Sequence, residues 1–312
     1  MARKQRPSID RARLKVLASA DDAAFLGFVM ELLASPKRLD REAALEALVE
    51  RPLPAARDAL RTLYADLDDD GAKRDQGAPQ RTAILRYLMA QPLPGDADIA
   101  ARASETVEIL LGDDVTAGLR ALGLRLLAHV APDVLPFYAV EQLAESERQR
   151  SVPRDDGEPT ATALRLLAAT GNFPALYQWL LGPGHGSPNL VRAFEAFSDA
   201  PPAIIRRYVG REVTVALRRD DETLLTVFAE TIVQLELGDA YEVIGHMMVA
   251  KVSDELYAYL AMLCAGTNRP PLLTILEQQL HTGRRPQLIL EALRVRTTDE
   301  QRSIIKRWEK RD

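Results

Sequence analysis

Apolar residues recur at three- and four-residue intervals along most of the chain. Ala44, Leu45, Leu48 and Val49 share one face of a helix. Further helical stretches follow Pro or Gly breaks at 54–67, 96–111, 132–146, 173–181, 201–218, 239–250, 270–281 and 299–310. Gly112, Gly171, Gly238, Gly266 and Gly283 each follow such a run, where a helix needs a left-handed residue to stop. Ser187-Pro188 reads as an N-cap before a first-turn proline, and Thr298 with Gln301 as a capping box. Glu212–Leu217 alternates like a strand, but a lone strand has no partner, so it is assigned to a helix.

The pattern repeats. Residues 41–54 (REAALEALVERPLP) and 81–94 (RTAILRYLMAQPLP) agree at seven of fourteen positions, 40 residues apart. Leu85-Arg86-Tyr87-Leu88 recurs as Leu124-Arg125-Leu126-Leu127 and again as Leu164-Arg165-Leu166-Leu167. Leu290–Val295 echoes Leu45–Val49 near the C-terminus. Each unit holds two helices, and a pair of that size buries its apolar stripe only by stacking on its neighbours. A pair at 10–34 brings the total to about nine.

A two-helix unit of about 40 residues resembles the HEAT/armadillo repeats, best over 40–170, where Asp40-Arg41-Glu42-Ala43-Ala44-Leu45 looks like the start of the inner HEAT helix. The Val-Arg dipeptide common in that family is replaced here by Leu-Arg. The expected fold is therefore all-α: a HEAT-like α-solenoid of about nine stacked antiparallel helix pairs, forming one domain over 1–312 with a soft lobe boundary at 147–159.

Composition narrows the function classes. The chain is 47% hydrophobic and 5% aromatic, so Leu, Ala, Val and Ile must build the core. A net charge of −5 disfavours a protein that holds nucleic acid through its phosphates. Cys264 is the single cysteine, so no intrachain disulfide or cysteine cluster forms, and its apolar setting marks it as a core residue. No run of 18 apolar residues occurs; no membrane association and a cytoplasmic location are expected.

Repeat arithmetic supplies the leading candidate surface. Arg86, Arg125 and Arg165 occupy one phase of successive repeats, and Arg41, Arg81 and Arg120 another. The HEAT resemblance implies that this helix lines a concave side, so Arg81, Arg86, Arg120, Arg125 and Arg165 form a candidate ladder for an acidic peptide or phosphate-bearing partner. In the competing reading they pair with acids such as Asp40, Glu46 and Asp114 and lock neighbouring repeats. Asp66, Asp68 and Asp70 start like a calcium loop, but Gly77 stands where the bidentate Glu belongs, so calcium would bind weakly if at all. The Gly-Pro-Gly-His-Gly stretch at 182–186 lacks the Lys-Ser/Thr ending of a phosphate loop and reads as an inter-repeat turn. His129, His185, His246 and His281 show no metal spacing, and Trp179 and Trp308 read as packing anchors.

The expected function is a non-enzymatic scaffold or adaptor, without cofactor or metal, that presents a surface to a protein or acidic peptide. Two alternatives stay open. One is a HEAT-like DNA glycosylase or other nucleic-acid-acting protein, which needs a basic groove around a flipped base. The other is a bilin-lyase-like or chaperone-like helper built on HEAT-type repeats.

Overall fold

The repeated Pro-Leu-Pro segments show how the sequence sets the local structure. In both, the residue before the second proline is extended (Leu53 φ −114°, ψ 113°; Leu93 φ −125°, ψ 147°), as proline demands of its predecessor. The proline then opens a 3₁₀ turn that runs into the next helix. A helix ends, the chain turns and a new helix begins in the same way at both places.

The computed structural model describes residues 21–148, 157–182, 187–295 and 298–310. It is all-α: helix accounts for 77%, in 18 α-helices, and the described strand is a two-residue pair. The chain divides into two compact units, Met1–Ala175 and Leu176–Asp312. The polar stretch at 147–159, expected as a soft boundary, lies inside the first.

The first unit contains α1 (Asp22–Leu33), α2 (Arg38–Glu50), α3 (Arg57–Asp68), α4 (Gly71–Arg74), α5 (Pro79–Ala90) and α6 (Ala97–Glu105). A hairpin follows, β1 (Ile109–Leu110) and β2 (Asp113–Asp114), then α7 (Ala117–Val130), α8 (Leu135–Arg148), α9 (Thr160–Ala169) and the start of α10 (Phe173–Leu180). The repeated-block helices α2, α5, α7 and α9 each pack on the next in line, while α3, α6 and α8 make a second file beside them. Repeated leucines supply the core between the files: Leu45, Leu48, Leu85, Leu88, Leu124, Leu127, Leu164 and Leu167 are all buried.

The second unit continues with α11 (Ser187–Phe197), α12 (Pro202–Arg218), α13 (Glu222–Gln234), α14 (Tyr241–Val249), α15 (Asp254–Thr267), α16 (Pro270–Thr282), α17 (Pro286–Val295) and α18 (Asp299–Glu309). Here α11, α13, α15 and α17 pack in sequence, with α12, α14, α16 and α18 alongside. The core at α11–α13 is aromatic: Phe194 meets Phe228 edge-on at 4.8 Å and stacks on Tyr208 at 5.5 Å. Glu212–Leu217 is helical, within α12, and Thr298 and Gln301 form the expected capping box on α18.

Several expected boundaries need correction. The stretch 96–111 is not helical throughout: α6 ends at Glu105, and Thr106–Ile109, in which Thr106, Val107 and Ile109 are β-branched, runs into the hairpin. Gly112 (φ +95°) is therefore a hairpin-turn residue, not a helix cap. Only Gly171 (φ +69°) ends its helix, α9, in a left-handed conformation. Near Gly238 and Gly266 that role falls to Glu236 (φ 54°) and Asn268 (φ 51°), and Gly283 is extended. A left-handed stop is needed, but short polar or charged residues supply it with help from the closing hydrogen bonds, as in Leu237 N–H to Ile232 O at 3.0 Å. The helix expected before Asp21 and the turn at 183–186 lie outside the described residues.

At Gly123, α7 crosses α6 backbone to backbone. A Cβ on Gly123 would lie 2.6 Å from Ser104 N and 2.8 Å from Ala100 O, both backbone atoms. Gly123→Ala should therefore destabilise the protein by about 1–3 kcal/mol. Gly210 lies within α12 with open space at its Cβ position, and Gly210→Ala should stabilise by about 0.5–1 kcal/mol through helix propensity. Denaturant titration followed by circular dichroism measures both.

Candidate binding face

Residues 81 and 86, like 120 and 125, are five apart on one helix, which places them about 140° apart around its axis. One phase must then face inward if the other faces out, and the structure separates them in that way.

Arg81 and Arg120 are buried, at 1% and 0% exposure, and do not belong to a binding surface. The Arg81 guanidinium reaches Asp68 at 3.1 Å, Asp75 at 3.3 Å and Glu108. Burial lowers its pKa, but the hydrogen bond and charge of Glu108, the hydrogen bond to Asp68 and the charge of Asp75 outweigh this and hold it above its ordinary value. Arg120 donates to Asp114 through two nitrogens, to Thr106 O at 3.0 Å and to Gln142 Oε1 at 2.9 Å. Arg41 donates to Gln80 Oε1 and to Ser35 O, both at 2.8 Å. This phase ties helices to loops and to each other, as the competing reading expected, with Asp114 among the acids it named.

Arg86, Arg125 and Arg165 lie on the other side of the same helices. Arg86 is exposed, and its side chain makes no hydrogen bond or ion pair with the described residues. Arg125 and Arg165 are 43% and 64% exposed in their side chains, and both approach one carboxylate, Glu158, at 3.7 and 3.3 Å. Glu158 also accepts from Thr162 N–H at 3.1 Å, so it caps the first turn of α9 while holding the two guanidinium groups. The same phase in α2 carries the exposed Glu46. Successive helices of this file lie roughly 10 Å apart, so among the described residues this phase presents Glu46, Arg86, Arg125 and Arg165 in turn, with Glu158 between the last two. Thr82, Leu122, Ala161 and Ala168, within four residues of them on the same helices, are half-buried.

The acids of the supposed calcium loop do not converge. Asp66–Asp68 form the last turn of α3, Asp68 faces Arg81, and Asp70 pairs with Lys73 at 3.2 Å. Among the described residues no group of three or more His, Cys, Asp or Glu is arranged to hold a metal. Trp179 is buried and Trp308 half-buried, both as packing residues. Burial pushes the Cys264 thiol up to about 12.

The second unit adds a feature that the sequence did not announce, a cavity of about 240 Å³ lined by Leu190, Tyr208, Val215 and Leu224 with Arg211 and Glu212. Of its charged lining residues, Arg211 pairs with Glu212 at 3.1 Å and Asp221 caps α13, while Arg219 also faces it. No helix among the described residues is long and apolar enough to cross a membrane. No protein-family model, curated protein or solved structure matches this chain.

Arg120→Met should cost about 3–5 kcal/mol, because it leaves the Asp114 carboxylate buried without its cation. Arg86→Gln should stay within about 0.5 kcal/mol. Thermal and denaturant melts of the two variants test the division into buried and exposed phases. Cys264 should not react with a disulfide reagent at pH 8 in the native protein and should react fully in denaturant; fast native labelling would show that α15 opens readily.

Proposed function

We propose that this chain is a HEAT-like helical-repeat adaptor, non-enzymatic, whose first unit holds an acidic segment of a protein partner on the Arg86–Arg125–Arg165 face. The observation that carries the reading is the charge pattern among the described residues of that face: three partly or fully exposed guanidinium groups in one repeat phase, on helices that pack in succession, with Glu158 shared by two of them, Arg125 and Arg165. Guanidinium groups bind carboxylates in pairs and with direction, so a row of them suits an extended acidic chain. Sequential packing of α2, α5, α7 and α9, with α3, α6 and α8 in a second file, supports the solenoid reading in the first unit, and the same alternation supports it in the second.

The charged groups of this face are spread along a row instead of converging on one point, which favours binding over catalysis there. A nucleic-acid reading requires the same row to prefer phosphate; the chain's charge of −5 opposes any long polyanion at long range, so a short acidic segment is favoured over a duplex of high charge density.

A fluorescent polyglutamate peptide and a short DNA duplex serve as probes for anisotropy at low salt. The peptide should bind, and replacing Arg86, Arg125 and Arg165 together with Gln should weaken it about tenfold or more while moving the melting temperature by no more than about 2 °C. Glu158→Gln keeps an acceptor for the α9 cap but removes the competing charge, so it should tighten peptide binding. Equal binding by the triple variant, or tighter binding of the duplex than of the peptide, would overturn the acidic-partner reading.

A further inference from the structure

The hairpin between α6 and α7 combines a rigid base with a tip that the fold does not need. Glu108 at its base is held by Arg81 and by Gly77 N–H at 3.2 Å, and Asp114 is held by Arg120. The Thr116 hydroxyl donates to Thr106 O at 3.0 Å and accepts from Glu108 N–H at 2.9 Å, closing the two strands together. The pairing of Ile109 with Asp114 and Leu110 with Asp113 leaves a two-residue loop, Leu111-Gly112, with φ of 55° and 95°. These are the signs of a type I′ turn, whose first position favours Asn, Asp or Gly.

Leucine is a poor residue there on two counts. Its branched side chain opposes the left-handed conformation, and at 97% exposure it gains nothing from burial. Ile109 and Leu110 beside it are 52% and 38% exposed. Asn at position 111 would satisfy the turn and the solvent, so the leucine calls for a reason outside the isolated chain.

We infer that Ile109, Leu110 and Leu111 form a docking finger that inserts into an apolar cleft with a cationic rim on a protein partner. Charge selects this occupant. Residues 103–119 contain four acids (Glu105, Glu108, Asp113 and Asp114) and no lysine or arginine. Glu108 and Asp114 are turned to buried arginines, which leaves Asp113 exposed beside the tip and Glu105 exposed at the end of α6, below the base. An anionic lipid surface would repel such a finger, whereas lysine or arginine around a cleft would attract it. The rigid base means that little ordering entropy is lost on insertion.

The test places a photo-activatable benzoylphenylalanine at position 111 of the full chain in its own cells, with the same group at the exposed Phe137 position of α8 as control. The expected result is one discrete adduct from position 111, absent from position 137, whose cross-linked peptide is apolar and flanked by lysine or arginine. Leu111→Asn should then weaken binding of the purified partner about tenfold or more, with an unchanged or raised melting temperature because Asn-Gly suits the turn. A fall in melting temperature would make Leu111 a residue of the fold and overturn the inference. So would an adduct of twice the chain's mass, the same adducts from both positions, or flotation with phosphatidylcholine–phosphatidylglycerol vesicles that Leu111→Asn abolishes. The polyglutamate titration reads the arginine face and the cross-link reads the finger, so either can fail alone.

Discussion

Arg81 and Arg120 are among the largest side chains wholly removed from water, and the first unit is arranged around them. An ion loses several kcal/mol of hydration when buried, and partners must return it through charge and hydrogen bonds of good geometry. For Arg81 the partners come from three places: the end of α3 (Asp68), the turn after α4 (Asp75) and the base of the hairpin (Glu108). The space above the guanidinium admits no side chain, since a Cβ on Gly71 would lie 2.5 Å from its Nη2. Three carboxylates around one cation leave excess negative charge, and Asp75 shows how it is accommodated. Asp75 also accepts the backbone N–H groups of Gln80 and Arg81, each at 3.0 Å, at the positive end of α5. The polar segment between α3 and α5 is in this way fixed in place by one buried charge.

The same device, in weaker form, links each helix pair to the next. Contacts span nearly one repeat: Arg41 to Gln80 and Arg57 to Asp96 are 39 residues apart, and the Tyr87 hydroxyl reaches Leu53 O across 34. In the second unit Arg269 to Glu236 and Arg285 to Val252 O span 33 residues, and Ser253 to Glu222 spans 31. The shorter span follows the shorter unit. Helices of the leading file start at 38, 79, 117 and 160 in the first unit, but at 187, 222, 254 and 286 in the second. The 40-residue period therefore belongs to the first unit, and fades in the second because its pairs have shorter connections.

This explains what was legible in the sequence. Helix positions followed from apolar spacing, because the core leucines repeat with the helices. The arginine phases were also visible, and their division into buried and exposed sets follows from the five-residue step between them. Which set lay inside was not legible. It depends on Asp75 and Asp114, and those residues sit in segments without helical periodicity. The hairpin was missed for a related reason: Val107–Leu111, four apolar residues interrupted by Glu108, fits a helix end as well as a strand. Its turn, Leu111-Gly112, lacks the Asn-Gly or Asp-Gly signal that announces a type I′ hairpin. The residue that hides the turn from the sequence is the one whose exposure singles it out in the structure.

The two arginine rows also show why a repeat period alone does not assign a role. Guanidinium groups of both rows face carboxylates, so the presence of an ion pair does not separate structure from binding. Solvent does. Around Arg120 the acceptors are fixed and water is excluded, so each lost partner leaves a buried charge. At Glu158 the carboxylate meets two guanidinium groups that remain about half in water, where the attraction is screened and each pairing contributes little. A weak pairing is easily exchanged for another carboxylate presented on a partner, at small net cost. The inner row is thus committed to the fold by its burial, and the outer row stays available because its own ion pairs are weak.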